Sequence, residues 1–499
     1  MVFFNQIEFM QYQRCVLSMS ITIAFTVGLV RAQEYELVLT GGRVMDPASG
    51  SDAVRNIGIR AGKIAAITNE VLSGNRVLDV SEHVVAPGFI DIHAHGQTTS
   101  DMQIQSRDGV TTALDLEVGV YPVAAWYDSM ITNAPINYGA VVSHISARFS
   151  AMHPGLEIGH WPVNSQQVAR LGPSPAGANR AATEPEIEFL RAAIQRGLDE
   201  GALGVGFGIN YTPAADPTEI EKLFRVAAER KVPAFVHTRA FGIGAIREAI
   251  TAAQATGASL HIVHIGSSSI DDLPSVLKLI DARRAEGMDL TTEVYPYTAA
   301  SSLLESALFN PGWQRNLRID YSDLVWSATG ERLTSESFDR YRKQGGWVII
   351  HMMREDNIRR AIAHPGVIIA SDGVPFVAGK GHPRGAGTFA RVLGHYARDE
   401  KLISLMEALA KMTILPARRL ERHVPAMKMK GRIAIGADAD LTIFHPATVL
   451  DRATFEAPTT PSAGIQHVIV NGTFVVRDSV LIADARPGRP VRVATPSNN

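Results

Sequence analysis

The chain has 499 residues, of which 46% are hydrophobic and 20% are charged, and its formal net charge is −2. This length is enough for a large core and an accessory domain, and the composition is that of an ordinary globular protein. The small net charge gives no electrostatic reason to expect nucleic acid or an anionic membrane as a partner. The only cysteine is Cys15, so the chain beyond it offers neither a disulfide nor a zinc-thiolate site.

The N-terminal segment is typical of a secretory signal. Arg14 precedes a short apolar run over 16–30, and Ala32 stands where a signal peptidase would cleave. A single membrane anchor is the alternative interpretation, but the apolar run is short for a membrane span. We therefore predict a signal peptide over 1–32, export to a periplasm, and no stable membrane association after processing.

Both ends of the remaining chain have the alternating pattern of β-hairpins. Apolar and polar residues alternate in four segments, 35–46, 56–67, 439–444 and 465–476. We predict that the two ends pair into one small β-sandwich domain, built from residues 33–86 and 425–486. A tail over 487–499 follows this domain.

The middle of the chain alternates short apolar runs with amphipathic stretches. Candidate buried strands lie at 87–95, 109–117, 138–146, 202–209, 233–238, 259–266, 289–297 and 367–373. Amphipathic stretches such as 184–200, 217–230 and 243–255 separate several of these strands. Eight parallel strands are the number that closes a (β/α)8 TIM-type barrel, which we predict over 87–424. A doubly wound open sheet is the competing fold, but no glycine-rich dinucleotide turn follows the first strand.

Side chains that can bind a metal stand at the C-terminal ends of five predicted strands, where a barrel has its active site. They are His93, His95, Glu117, His237, His264 and Asp372. Residues two apart in a strand project from the same face, so His93 and His95 point to one spot. Each residue also has a structural interpretation, as a core histidine, a solvated carboxylate or a turn residue. Six such residues at strand ends together favour a metal site.

The six side chains offer only nitrogen and oxygen donors, which suit Zn²⁺ or another divalent transition ion. Six ligands exceed the needs of one tetrahedral zinc, so we predict two ions bridged by the Glu117 carboxylate. The first ion would be held by His93, His95 and Asp372, and the second by His237 and His264. Such a pair generates hydroxide near neutral pH and polarises a carbonyl group. Asp372 is the natural proton shuttle between the attacking water and the leaving nitrogen.

These residues resemble the amidohydrolase superfamily, whose metal-dependent barrels carry His-x-His on strand one, histidines on strands five and six, and an aspartate on strand eight. Several segments resemble the N-acyl-D-amino-acid deacylase (D-aminoacylase) branch in particular: 87–95, 109–112, 294–298, 371–373, 382–389, 411–417, 436–444 and 453–458. The resemblance runs from about residue 35 to residue 485, in matching order. It implies hydrolysis of an N-acylated D-amino acid to a carboxylate and a free amine.

The resemblance also implies four substrate-binding residues, which are Tyr211, Tyr295, Ser302 and Arg384. Arg384 would pair with the substrate carboxylate through its guanidinium fork. Tyr211 would polarise the scissile carbonyl. Packing at the barrel rim is the alternative role for each of the four.

Two positions differ from the usual pattern of this branch. Glu117 stands where the branch usually has a cysteine, and a carboxylate bridge should favour a fuller binuclear site. Gly266 stands two places after the sixth-strand histidine, where the branch usually has a lysine that meets the substrate carboxylate. We expect this change to remove a cation, open space and disfavour acidic acyl-amino acids.

We therefore predict a hydrolase of carbon–nitrogen bonds other than peptide bonds, acting on N-acyl (D-)amino acids or related amides. One alternative is hydrolysis of cyclic amides, as in hydantoinases and dihydroorotases, or of dipeptides. A more remote alternative is an exported binding protein without catalysis. The expected partner is a small-molecule amide, and the sequence leaves open the acyl group, the D or L preference and whether the chain forms a homo-oligomer.

Overall fold

The computed structural model describes residues 35–155 and 174–493. The predicted signal peptide over 1–32 lies outside these residues, as does the end of the predicted tail. Within the described ranges, no helix is both long enough and apolar enough to cross a membrane.

Strands from both ends of the chain share one nine-stranded sheet. They are β1 (Leu37–Asp46), β2 (Ser51–Arg60), β3 (Lys63–Thr68), β4 (Val77–Asp79), β5 (Val84–Pro87), β18 (Leu441–Phe444), β19 (Ile465–Val470), β20 (Thr473–Arg477) and β21 (Val480–Leu481). The sheet order is β21-β20-β19-β18-β5-β1-β2-β3, with β4 beside β1. The antiparallel pairing of β18 with β5 joins the two ends, which confirms the β-domain built from both.

Eight parallel strands form the second sheet. They are β6 (Phe89–Asp91), β7 (Val110–Val120), β8 (Asn137–Ser143), β9 (Val205–Gly208), β10 (Ala234–His237), β11 (Leu260–Ile262), β12 (Leu290–Val294) and β17 (Val367–Ile369). Each strand pairs with the next in this order. A backbone bridge between Ala94 and Gly373 links the first strand to the last. The predicted (β/α)8 barrel is confirmed, and each strand overlaps its predicted segment.

Fifteen α-helices, most of them around the barrel, are formed by the described residues. They are α1 (Thr99–Ser106), α2 (Val123–Met130), α3 (His144–Met152), α4 (Ala176–Asn179), α5 (Glu184–Asp199), α6 (Pro217–Glu229), α7 (Ile243–Thr256), α8 (Ile265–Ser269), α9 (Leu273–Ala285), α10 (Trp313–Leu317), α11 (Ser335–Gln344), α12 (Glu355–Ala363), α13 (Arg384–Arg391), α14 (Leu405–Met412) and α15 (Ile414–Leu420). A π-helix over Val392–Asp399 directly continues α13.

Helix α5 shows how the sequence determines one of the outer helices. Thr183 and Glu186 form a capping box that satisfies free backbone N–H groups at its start. The apolar residues that recur every three or four positions are buried, namely Ile187, Leu190, Ile194 and Leu198. The same periodicity predicted helices over 184–200, 217–230 and 243–255, and all three are present.

Between β12 and β17 the chain builds a small antiparallel unit that the sequence patterns did not predict. Its strands are β13 (Ala299–Leu303), β14 (Leu324–Trp326), β15 (Glu331–Arg332) and β16 (Trp347–His351), in the order β13-β16-β14-β15. We call residues 299–351 the cover unit. Its own apolar core contains Leu304, Phe309, Trp313, Trp326, Phe338 and Ile350. This unit forms one wall of the cleft described below.

The predicted tail packs against the barrel as far as Val493. The N–H of Val491 donates to the carbonyl of Tyr138 at 2.7 Å, and its own carbonyl accepts from the Tyr127 hydroxyl at 2.7 Å. The guanidinium of Arg492 lies 4.3 Å from the centre of the Tyr127 ring. Because Tyr138 lies near the start of β8, the tail packs at the N-terminal end of the barrel, away from the strand ends that carry the predicted ligands.

Candidate metal centre

The six predicted metal ligands converge at the C-terminal ends of the barrel strands. Their donor atoms form two overlapping groups, each within 4.8 Å: His93, His95, Glu117 and Asp372, and Glu117, His237 and His264. All six side chains are at most 10% exposed. The shared member is Glu117, as predicted for a bridge.

The two oxygens of Glu117 face different pairs of imidazoles. Oε2 lies 3.1 Å from His93 Nε2 and 2.9 Å from His95 Nε2. Oε1 lies 2.5 Å from His237 Nδ1 and 3.2 Å from His264 Nε2. Four ring nitrogens and two carboxylates, with no thiolate, form a donor set that suits zinc and similar divalent ions. The residues present therefore fit a pair of metal ions.

Local backbone geometry directs these side chains into the cleft. A Cβ at Gly206 of β9 would lie 2.1 Å from the Glu117 carbonyl oxygen, so only glycine lets β9 approach β7 this closely. His264 and Asp372 have φ values of +34° and +51°, which are strained for residues other than glycine. Such strain is typical of functional positions held by their surroundings.

Buried groups behind the ligands hold the second nitrogen of three imidazoles. His93 Nδ1 lies 2.9 Å from Glu293 Oε1, and His95 Nδ1 lies 3.3 Å from Asp115 Oδ2. His264 Nδ1 lies 3.0 Å from the Ser268 hydroxyl. A hydrogen bond at one ring nitrogen fixes the tautomer, so that the other nitrogen faces the metal position. Sequence reasoning missed these partners, although Glu293 is a charged residue inside the predicted buried strand over 289–297, which is a detectable signal.

Charges within the centre shift the pKa values of its members. Burial opposes ionisation of Glu117, but His93 and His237 outweigh it and hold the pKa of Glu117 well below its usual range. Burial likewise disfavours charge on His95, yet Asp115 and Glu117 raise the pKa of His95 to about 9. Burial dominates at His237 and lowers its pKa. In the metal-free centre, the ionised Glu117 carboxylate is therefore in contact with a protonated His95 near neutral pH.

The four predicted substrate-binding residues surround this centre. Ser302 donates a hydrogen bond to the Tyr211 hydroxyl at 3.2 Å, and both residues line the cleft. Arg384 is 1% exposed, with Nη2 at 2.8 Å from Asp372 Oδ1. Its guanidinium carbon lies 4.5 Å from the centre of the Tyr295 ring. Arg384 thus contacts the predicted proton shuttle itself.

The expectation that Gly266 opens space is wrong. A Cβ at Gly266 would meet Ile358 Cδ1 at 3.1 Å and Val294 Cγ2 at 3.4 Å, because this glycine packs tightly against apolar side chains of the barrel wall. The neighbouring Ser267, in contrast, lines the cleft. Position 266 still brings no cation to the site.

The cleft beside the centre is polar at one end and apolar at the other. It encloses about 640 Å³, including its open mouth. Its apolar wall comes largely from the cover unit and the residue after it, with Leu303, Leu308, Leu317, Ile350 and Met352. Among the described residues that line it, none is a lysine or an arginine.

A (β/α)8 barrel with two carboxylates and four histidines at its strand ends defines a metal-dependent hydrolase. The sequence model of the amidohydrolase family matches residues 76–476. The N-acyl-D-glutamate deacylase of Alcaligenes xylosoxydans xylosoxydans is 30% identical, over 92% of this chain and 97% of its own. The D-aminoacylase of the same organism is 31% identical, over 89% and 95%. The chain belongs to the amidohydrolase family.

Solved structures agree with this assignment. A crystal structure of N-acyl-D-glutamate deacylase from Bordetella bronchiseptica, with zinc and a phosphonate mimic of the tetrahedral intermediate, has 28% identity and a TM-score of 0.78. A D-aminoacylase with a binuclear metal centre, activated by one metal and attenuated by the second, has 28% identity and a TM-score of 0.76. Each match covers 92% of this chain and all of the other. The predicted family, branch resemblance and enzyme class are confirmed.

Proposed function

We propose that this enzyme deacylates N-acyl-D-amino acids with uncharged side chains, using two zinc ions bridged by Glu117. The observation that carries the proposal is the position of Glu117, with one oxygen facing each pair of imidazoles. The cysteine that the related branch usually has at this position offers one donor atom, the sulfur, whereas the Glu117 carboxylate offers two oxygens. That difference supports two resident ions, although the second ion attenuates the related D-aminoacylase.

The positions of the side chains support a catalytic role for each of them. When bound, the ions supply an activated water and a Lewis acid for the scissile carbonyl. Asp372 Oδ1 lies 3.5 Å from His93 Nε2 and 3.6 Å from His95 Nε2, so this carboxylate can accept a proton beside the first ion and pass it to the leaving nitrogen. Arg384 lies against Asp372, so a substrate carboxylate bound there would hold the amide next to the proton shuttle. We assign to Tyr211, which lines the cleft beside the centre, the hydrogen bond to the carbonyl oxygen.

The cleft supports an uncharged, apolar substrate side chain. Two relatives are an N-acyl-D-glutamate deacylase and an N-acyl-D-aspartate deacylase. Each of these two substrates has a second carboxylate, in its side chain, and burying that charge calls for a cation in the site. In this chain, Gly266 supplies none, and the described lining residues include no lysine or arginine. Within the part of the chain that the structure describes, the one lysine or arginine in contact with Asp372 is Arg384, which we assign to the carboxylate that every N-acyl-amino acid carries, so none is left for a second one. Burying an unpaired carboxylate against Leu308 or Met352 would cost several kcal/mol, on the order of the penalty for an unpaired buried charge.

The test is a comparison of kcat/KM for the zinc-loaded enzyme on matched substrates. We expect N-acetyl-D-leucine and N-acetyl-D-phenylalanine to exceed N-acetyl-D-glutamate by at least about 10-fold, the discrimination typical of a pocket contact. The L-forms, dipeptides and hydantoins serve as comparison substrates. A preference for N-acetyl-D-glutamate would contradict the proposal that the substrate side chain is uncharged. Turnover of hydantoins alone would show that the enzyme is a cyclic amidase and not a deacylase.

We also propose that the chain is exported and cleaved after Ala32. The support is the order of a basic residue, a short apolar run, and compact residues at the third and first positions before the cleavage point, Val30 and Ala32. Expression in a Gram-negative host, followed by fractionation and N-terminal sequencing, tests this. We expect a periplasmic protein that begins at Gln33, and a full-length chain in the cytoplasm would contradict the proposal.

A further inference from the structure

A buried glutamate on β12 contacts both halves of the metal centre. Glu293 Oε1 lies 2.9 Å from His93 Nδ1, and His93 belongs to the first group of ligands. The same oxygen accepts a hydrogen bond from the backbone N–H of His264, which belongs to the second group. The Glu293 side chain is only 2% exposed. It is not itself a member of either ligand group.

A second buried pair holds Glu293 from behind. Its Oε2 contacts Nε2 of His261, and His261 Nδ1 lies 2.7 Å from the Thr291 hydroxyl. His261 is fully buried in the barrel interior. A chain of hydrogen bonds therefore runs from Thr291 through His261 and Glu293 to His93. Each member restricts the rotation of the next, so the carboxylate has one orientation.

The contacts of Oε1 act on two different features of the centre. At His93, Oε1 accepts a hydrogen bond from Nδ1–H, and this fixes the tautomer that presents Nε2 to the metal position. At His264, acceptance from the N–H holds a backbone with φ of +34°, a conformation that persists only when its surroundings stabilise it. One oxygen thus orients a ligand from each half of the centre.

We propose that Glu293 is a positioning residue that couples the two zinc sites, so that its loss weakens both. The other buried partners each act on a single side of the centre. Of the four ligand imidazoles, the Asp115 carboxylate contacts that of His95 and the Ser268 hydroxyl contacts that of His264. The inference rests on the metal centre of the proposed function, but zinc binding can be measured without any substrate. A wrong substrate class would therefore leave the outcome unchanged.

The experiment is a zinc titration of the full-length enzyme in competition with a chromophoric chelator, with metal analysis of the dialysed protein. In Glu293→Gln, we expect both zinc affinities to fall by about 10- to 100-fold, the usual cost of losing a partner behind a ligand. In Asp115→Asn the loss should fall mainly on one ion, and in Ser268→Ala on the other. Unchanged zinc affinity in Glu293→Gln, or a loss confined to one ion, would overturn the proposal.

Glu219→Gln is the matched control. Glu219 is also fully buried and lies 2.9 Å from His144 Nε2 and 3.0 Å from Arg148 Nη1, but it belongs to neither ligand group. We expect it to lower Tm without changing zinc affinity, which separates a general loss of stability from the positioning role. If Glu293→Gln does not fold, Thr291→Val loosens the same chain. That variant should weaken both zinc sites by about 3-fold or more, and wild-type affinities would refute the coupling.

Discussion

Asp372 has two proposed functions in the site, as a metal ligand and as the proton shuttle. Its Oδ1 faces the Nε2 atoms of His93 and His95, and the same oxygen lies 2.8 Å from Arg384 Nη2. The contact with Arg384 holds this carboxylate oxygen beside the two imidazoles. The arrangement therefore positions Asp372 to accept a proton from the attacking water.

Asp372→Asn should keep the shape of this side chain and remove its ability to carry a proton. We expect kcat to fall by about 10²- to 10⁴-fold, the typical contribution of general acid–base catalysis. Steady-state kinetics on an N-acyl-D-amino acid measures the loss, and metal analysis with thermal unfolding checks that zinc and fold are retained. A kcat close to that of wild type would assign the proton transfer to another group.

Glu117→Cys replaces two donor oxygens with one sulfur. Since each oxygen of Glu117 faces its own pair of imidazoles, we expect the variant to hold one tightly bound zinc rather than about two after dialysis. Metal analysis per chain gives the number directly, and Glu117→Gln shows the effect of charge alone. Two tightly held ions in the cysteine variant would mean that the bridge does not determine occupancy.

Zinc affinity should rise with pH up to about pH 9. In the metal-free protein, Asp115 and Glu117 overcome burial and raise the pKa of His95 to about 9, and Asp372 and Glu117 likewise raise that of His93. Below these pKa values the imidazoles carry protons that zinc must displace, so metal binding releases protons. Chelator competition between pH 6 and pH 9 measures the trend. A flat profile would show that the ligands are already neutral at pH 6.

At the scale of elements, the strands of the barrel were predictable and the cover unit was not. Strand predictions succeeded because most of the strands contain a short apolar run, and because ligands such as His237 and His264 mark strand ends. The cover unit is stabilised by contacts between separated residues, such as the Trp326 ring stacked on Tyr341 at 4.4 Å. A contact between residues that are separated in sequence leaves no local periodicity in the sequence, so the patterns could not predict it. The same holds for Glu293, whose partners lie 32 and 200 residues away.

The cover unit and the residues just after it should determine the preferred substrate side chain. Met352 lines the cleft and is only partly buried, so a lysine there can extend its flexible side chain into the apolar end. For Met352→Lys we expect the kcat/KM ratio of N-acetyl-D-glutamate to N-acetyl-D-leucine to rise about 10-fold, through pairing with the second carboxylate. Met352→Leu keeps the volume and should leave this ratio unchanged. An unaltered ratio in the lysine variant would locate the side-chain pocket elsewhere.

In the molecule as a whole, the C-terminal tail and the metal ligands lie at opposite ends of the barrel. The ligands lie at the C-terminal ends of the strands, whereas the tail packs at the N-terminal end. There Val491 is 1% exposed and exchanges hydrogen bonds with Tyr127 and Tyr138. The separation allows changes in the tail to alter stability without touching the site.

Truncation after Pro487 should therefore destabilise the enzyme but leave its chemistry intact. Losing the buried Val491 side chain and its two hydrogen bonds should lower the free energy of unfolding by about 3 kcal/mol. Truncation after Val493 is the matched control, because it keeps these contacts. Thermal unfolding of both variants, with kcat measured well below Tm, is the test. Equal Tm values would show that the tail adds no stability, and a fall in kcat would show that the two ends of the barrel are coupled.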